Sequence, residues 1–324
     1  MITIGIDRAV PVDTVGRLVA AVATRLPSES EARWIVAQVA GIEPRELLSV
    51  FDSPVSAATV EAAHALAERR AAGEPLQYVL GSWSFRSLEV AVDARALVPR
   101  PETEQVVEVA LEELRRLGGD PGRPPAAPLV VADLGTGSGV IALSLALEGV
   151  PTTADGPLGR TVPPTAPADL EVWATDASRP ALELARSNLS RLAADHPVAA
   201  SRVRLAEGSW FDALPVRLAG RLHLVVSNPP YVSAAEWSAL DPEIRRHEPR
   251  SALVPGPTGL EALEALVDQG RRWLAPGGRL VLELAPHQGA TVTAMAENAG
   301  YGAVRVHRDL AGRARTLVAG RPGA

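Results

Sequence analysis

The chain has 324 residues, 47% of them hydrophobic, enough for one large core or two modest ones at about 100–200 residues per domain. Lys and Arg number 32 against 38 Asp and Glu, so the formal charge is −6 and the whole-chain balance lacks the basic excess of a phosphate-neutralising nucleic-acid binder. The absence of cysteine excludes disulfides, thiolate nucleophiles and cysteine-ligated zinc.

No apolar run nears the roughly 18 residues of a membrane span. The start, MITIGIDRAVPVD, has no basic head before a long apolar stretch, so no signal peptide is expected and the cytoplasm is the expected location. Residues 1–78 read as a small helical domain. Ser28 and Glu31 have capping-box spacing, and Ala32, Ile35, Val36 and Val39 follow on one apolar face, with Gly41 as a helix end. A second helix is predicted from Ser56 to Ala72, stopped by Gly73 and Pro75.

Residues 79–98 change period. Leu88, Val90 and Val92 alternate with Glu89, Ala91 and Asp93, which predicts a strand or hairpin linking to a second domain at 99–324. In that domain apolar runs alternate with helical stretches. Strands are predicted at Leu129–Asp133, Leu170–Asp176, Val203–Ala206, Leu222–Ser227, Arg279–Leu284 and Thr316–Ala319. Helices are predicted at Thr103–Leu117, Val140–Leu147, Arg179–Leu192, Leu260–Leu274 and Gly289–Ala299. Such alternation implies an α/β fold with a doubly wound, mostly parallel sheet. Gly118–Pro128 reads as a loop, and Gly149–Ala168 as a disordered surface insertion without a chemical role. The run Glu108–Arg116 reads as a solvated helix face with pairs such as Glu112–Arg116, and Trp34 and Trp273 as core residues.

Three signals carry chemistry. The turn Asp133-Leu134-Gly135-Thr136-Gly137-Ser138-Gly139 lies between a predicted strand and helix, where bare backbone can approach a ligand. Its G-x-G-x-G spacing differs from the dinucleotide form, because Val140 stands where a third Gly or Ala would be. Asp176 ends the next strand, where a carboxylate can accept from both hydroxyls of a ribose or simply cap the following helix. It lies well past the usual ~20 residues, and the proline-rich insertion accounts for the excess. Last comes Ser227-Asn228-Pro229-Pro230-Tyr231, closing a strand. The prolines stiffen the turn and hold Asn228 at the sheet edge where open α/β folds bind ligands. Asn228 and a proline carbonyl could each accept from one N–H of a planar NH2 whose lone pair is delocalised, with Tyr231 against its flat face. The six histidines are scattered without metal-like spacing, so no metal is expected.

DLGTGSG followed by SNPPY resembles the N-methyltransferase group of the class I Rossmann-like methyltransferases. The resemblance is nearest to the HemK-like peptide chain release factor N5-glutamine methyltransferases. Further matching segments are Gly73–Tyr78 with Gly81, Val98–Glu104, Gly208–Phe211 and Glu248–Leu253, so the resemblance covers residues ~30–320. It implies S-adenosyl-L-methionine as cofactor and S-adenosyl-L-homocysteine as product. Gly135, Thr136, Gly137, Ser138 and Gly139 would line the methionine and ribose, and Asp176 would hold the ribose hydroxyls. Trp210 would lie beside the adenine, helped by Ser209 or Phe211, and Asn228 would also border the cofactor. Asn228, Pro229, Pro230 and Tyr231 would grip the glutamine of a release factor's Gly-Gly-Gln loop, with Phe85 and Arg100 at the substrate entrance. The helical domain would dock the release factor.

No nucleic acid or membrane partner is implied, and a monomer is expected. The sequence departs from the family in the length of the 149–168 insertion and in Ala314, where an acid is frequent. Other readings remain. A ribosomal-protein glutamine methyltransferase would show the same motifs. A DNA adenine-N6 methyltransferase would use the same Asn-Pro-Pro-Tyr logic, against the net charge and without a target-recognition domain. A nicotinamide oxidoreductase would need G-x-G-x-x-G, and a non-catalytic protein on this fold would have lost its cofactor residues.

Overall fold

Three hydroxyl side chains open three helices near the N-terminus. The hydroxyl oxygens of Thr14, Ser28 and Ser56 accept from the amides of Arg17, Glu31 and Thr59 at 3.3, 3.2 and 3.1 Å. Each satisfies an N–H that the first helical turn leaves unpaired. The helices are α1 (Val15–Ala23), α2 (Glu29–Ala40) and α3 (Ala57–Ala71). Gly41 ends α2 in the left-handed region at φ +66°, where a Cβ would be strained. Only half of the anticipated capping box forms, because Glu31 turns to the Arg70 guanidinium at 2.7 Å. Arg70 also holds Glu243, 2.5 Å away. Leu18, Ile35, Val36 and Leu47 fill the core of this bundle. Trp34, expected in a core, is 37% exposed.

The computed structural model describes residues 13–119, 128–149 and 169–323. Most of the predicted 149–168 insertion, and residues 120–127 of the preceding loop, lie outside them. The chain divides into two compact units. The first holds α1–α3, α4 (Leu76–Leu80), which ends at Gly81, and a short downstream helix, α10 (Pro242–His247). The second holds the other described residues.

The second unit begins with a hairpin, β1 (Ser82–Phe85) and β2 (Leu88–Ala91), antiparallel with Phe85 opposite Leu88. Seven strands form the main sheet: β3 (Leu129–Leu134), β4 (Leu170–Asp176), β5 (Val203–Glu207), β6 (Leu222–Ser227), β7 (Leu274–Glu283), β8 (Gly302–Arg308) and β9 (Ala314–Gly320). Their spatial order is β5-β4-β3-β6-β7-β9-β8, with β9 antiparallel to both neighbours and the β5-to-β7 pairs all parallel. The helices are α5 (Pro101–Gly118), α6 (Val140–Glu148), α7 (Arg179–Asp195), α8 (Pro197–Ser201), α9 (Ala234–Trp237), α11 (Glu261–Trp273) and α12 (Gly289–Asn298).

The strands form where apolar runs allow burial on both faces, as parallel strands require. Leu129, Val131, Leu222, Leu224, Leu280 and Leu282 are all fully buried. Phe211 stacks on Trp273, with ring centroids 5.7 Å apart, inside a buried core cluster that also holds Leu222, Leu280 and Leu282. β8 has no counterpart among the predicted strands. It is an edge strand, GAVRVHR, whose only large apolar residues are Val304 and Val306 and none of whose residues is fully buried, so it carries little apolar signal. Glu113 corrects the expectation of a solvated face on α5. It is 1% exposed, and Arg116, Arg279 and Arg305 surround it at 2.5, 3.2 and 2.8 Å. Three guanidiniums supply the pairing that burial of a carboxylate demands.

This sheet reverses its winding between β3 and β6. Strand order changes direction there, so the loops after the two strands diverge and leave a crevice at their carboxyl ends. The Ser227 hydroxyl donates to the Leu134 carbonyl at 2.5 Å across that switch point.

Candidate active site

The glycine turn leaves β3 at the switch point. Gly135, Gly137 and Gly139 have φ of +74°, +57° and +90°, all in the left-handed region. A Cβ on Gly135 would stand 3.3 Å from Trp210 Cζ3, so a side chain there would press on the indole as well as strain the turn. Beneath the turn lies Asp133, fully buried. Its Oδ2 accepts from the Thr136 hydroxyl at 2.6 Å and from Ala142 N at 3.1 Å, which ties the turn to the first residues of α6. Its Oδ1 is buried without a partner among the described residues. Burial pushes the Asp133 carboxyl up to about 7.

Asp176 ends β4, whose Thr175 pairs with Leu134 of β3. Its Oδ2 accepts from Gly137 N at 2.9 Å and its Oδ1 from Ser178 N at 2.8 Å. The helix cap proper is Ser178, which accepts from Ala181 N. Burial raises the Asp176 pKa, opposed by the backbone N–H groups of Ser178 and Gly137. Trp210 follows Gly208 and Ser209 after β5. Its φ of +46° is unusual for a residue with a side chain, and such strain concentrates at working sites.

At the other end of the cavity β6 delivers Asn228. Ser227 pairs with Leu282 of β7, which sets the next residues, Asn228 and Glu283, at neighbouring strand ends. Asn228 Nδ2 donates to Thr103 Oγ1 at 3.0 Å, the Thr103 hydroxyl donates to Glu283 Oε2 at 2.7 Å, and the Tyr231 hydroxyl donates to Glu283 Oε1 at 3.2 Å. Burial pushes the Glu283 carboxyl up to about 7, and burial together with the Glu283 charge raises the Tyr231 phenol. Gln288 Nε2 donates to the Tyr231 carbonyl at 3.0 Å and to the Gly259 carbonyl at 3.1 Å, which anchors the loop behind Asn228. Arg100 lies at the start of α5. Buried Glu248 accepts from its Nη2 at 2.5 Å and from Val98 N at 3.2 Å, and so fixes the 98–100 segment.

One cavity of about 430 Å³ joins these features. It falls within the range of about 300–1,000 Å³ of small-molecule sites. Gly135, Thr136, Gly137, Ser138, Asp176 and Trp210 line it at one end. Arg100, Thr103, Asn228 and Pro230 line it at the other. Ser209 also lines it. Five sequence-selected residues do not. Gly139 faces α7, where its Cβ would meet Ala185 at 3.3 Å. Pro229 is buried and Tyr231 points to Glu283. Phe211 is a core residue, not a wall of the cavity. Phe85, expected at the entrance, is 1% exposed because the hairpin folds its ring inward. Sequence reading gave no role to Thr103, Glu283, Gln288, Glu248 or Asn188. Thr103 and Glu248 at least lay within segments singled out for another reason. Among the described residues no group of three or more His, Asp or Glu could hold a metal, and no helix is long and apolar enough to cross a membrane.

Residues 21–81 match the family described as the PrmC N-terminal domain. A "Release factor glutamine methyltransferase" of Deinococcus radiodurans is 38% identical over 91% of this chain and 92% of its own length. Another of that name from Gloeobacter violaceus is 39% identical over 75% of this chain and 73% of its own. The chain belongs to the release factor glutamine methyltransferase family. The catalytic domain of hMettl16, solved with an RNA hairpin, matches 80% of this chain and 82% of its own at 13% identity and a TM-score of 0.51, a likeness of fold. With β9 as the one reversed strand of the main sheet, the second unit has the Rossmann-like methyltransferase architecture. Family and fold both imply use of S-adenosylmethionine.

Proposed function

We propose that this protein transfers the methyl group of S-adenosyl-L-methionine to the N5 amide nitrogen of the Gly-Gly-Gln glutamine of peptide chain release factors. The observation that carries the reading is the cavity that has a glycine turn and Asp176 at one end and Asn228 with Pro230 at the other. The residues suit the cofactor. Three positive-φ glycines give bare backbone, and Asp176 offers a carboxylate to ribose hydroxyls. Gly135 to Gly139 would shape the methionine and ribose end, and Trp210 with Ser209 the adenine end. The bound cofactor supplies an electrophilic methyl on a sulfonium sulfur.

The chain's own work is positioning. Asn228 Oδ1 and a carbonyl of Pro229 or Pro230 accept the two N–H bonds of the glutamine amide. They hold its nitrogen toward the cofactor end and favour the positive charge that develops there as the methyl arrives. Methyl transfer leaves the amide nitrogen cationic and acidic, so its proton passes to solvent water only afterwards and no strong base is needed before transfer. Tyr231, anchored by Glu283 and Gln288, backs the acceptor loop. Arg100, fixed by Glu248, stands at the mouth, while Phe85 supports the hairpin from within. The helical unit docks the release factor. No metal, membrane or nucleic acid enters this scheme, and the protein acts as a cytoplasmic monomer.

The test is the intact and peptide-mapped mass of a purified release factor after incubation with the protein and S-adenosylmethionine. One added methyl on the Gly-Gly-Gln glutamine is expected. Methylation of a ribosomal-protein glutamine or of DNA adenine instead would replace the proposed substrate.

A further inference from the structure

We propose that Thr103 and Glu283 are positioning residues for the transfer: Glu283 accepts a hydrogen bond from the Thr103 hydroxyl, Thr103 accepts from Asn228 Nδ2, and Asn228 Oδ1 is thereby left to accept from the substrate amide. The inference rests on the methyl-transfer reading above.

An asparagine side chain has two faces of opposite polarity, and a planar NH2 group can be gripped by only one of them. Turned the other way, Asn228 would present N–H to N–H and repel its substrate. Its own sequence neighbours do not decide the matter, because prolines 229 and 230 lack N–H groups. Thr103 decides it. A hydroxyl has one proton, and Thr103 gives it to Glu283 at 2.7 Å, so only a lone pair is left for Asn228, 3.0 Å away. Both Glu283 oxygens receive hydroxyl protons, from Thr103 and from Tyr231. In that pattern Glu283 acts as the ionised carboxylate, an acceptor on both oxygens.

The relay has a second state. When Glu283 carries a proton on Oε2, that proton points at Thr103. Thr103 then gives its own proton toward Asn228, which can meet it only with Oδ1, and Nδ2 turns to the cavity. Glu283 is 1% exposed at the end of β7, and burial brings its titration to about 7. The charged groups facing it are Glu102 from α5, Tyr231 from the loop after β6 and Arg315 from β9, itself paired with Asp309 at 3.3 Å. Glu102 raises the carboxyl, while Arg315 and the two hydroxyls lower it.

Three full-length variants test the relay against wild type, with methyl transfer followed by mass and cofactor affinity by calorimetry. Thr103→Val keeps the shape and deletes the hydroxyl. Its kcat should fall roughly 10- to 100-fold, the scale of one hydrogen bond to a charge, with cofactor affinity kept. Thr103→Ser should restore kcat to within a few-fold. Wild-type kcat should fall as pH drops below about 7. Glu283→Gln, which cannot titrate, should lose that acid limb whatever its plateau. Thr103→Val with normal turnover overturns the relay, as does a serine variant that fails to rescue, or an acid limb that persists in Glu283→Gln. The last two comparisons hold even where the valine variant does not fold. Wild type that methylates no amide nitrogen overturns the underlying reading, and the relay with it.

Discussion

Truncating Asn188 to alanine should destabilise the second unit by about 2–4 kcal/mol and weaken cofactor binding. Asn188 lies on α7 and is 2% exposed. Its Oδ1 accepts from Ala91 N at 2.7 Å, and its Nδ2 donates to the carbonyls of Ala91 at 3.1 Å and Ser138 at 2.9 Å. One side chain thus joins the hairpin to the glycine turn. Asn188→Ala leaves one N–H and two carbonyls without partners. A buried polar group left unpaired costs about 1–3 kcal/mol. Ser138 is 3% exposed and bears the larger share, whereas Ala91 is half-buried and water can reach its two groups. Urea unfolding followed by tryptophan fluorescence reads the right unit, since Trp83, Trp173, Trp210, Trp237 and Trp273 all lie in it and only Trp34 lies outside. Calorimetry with S-adenosylmethionine reads the effect on the turn. A loss below about 0.5 kcal/mol, the range of ordinary surface substitutions, with unchanged affinity would refute the clamp.

Asn228→Ala should retain cofactor affinity and lose methyl transfer by a factor of about 100 or more, the scale of removing a preorganised contact to developing charge; unchanged turnover in the mass assay would remove Asn228 from the grip. Asp176→Ala should show the opposite split, a weaker calorimetric affinity for S-adenosylmethionine, and an unaltered affinity would remove Asp176 from the cofactor site. Asp133 should make stability depend on pH. Its folded pKa of about 7 exceeds the ordinary 3.8, so the folded state binds more protons between those values, and stability falls as pH rises through 7. Asp133→Asn should flatten this slope by an amount on the order of 3 kcal/mol, read as the difference between the two proteins' urea midpoints at pH 5 and pH 8. An identical slope in both would show that Asp133 titrates normally.

What the sequence made legible, and what it hid, follows from how far each interaction reaches along the chain. Strand β4 and strand β6 could be read to the residue because apolar runs and their polar ends are local signals. So could the glycine turn, whose three left-handed residues are adjacent in the chain. Asn228 could be placed because two prolines follow it at once. Nothing local marks the groups that orient it. Thr103 reads as an ordinary first-turn helix residue and Glu283 as a polar strand end, and 180 positions separate them. Asn188 stands 97 positions from Ala91. Such residues become meaningful only after the parallel sheet sets the ends of β6 and β7 side by side. The same logic explains Phe85 and Glu113. An aromatic beside a loop reads as a site wall until the hairpin turns it inward, and a glutamate in a charged run reads as solvated until Arg279 and Arg305 arrive from β7 and β8. Motifs therefore locate the groups that touch the ligand, whereas the groups that fix their orientation belong to the topology. That division predicts where function should be most fragile to substitutions no motif would flag: at buried polar residues whose partners lie on another strand, Glu283 first among them.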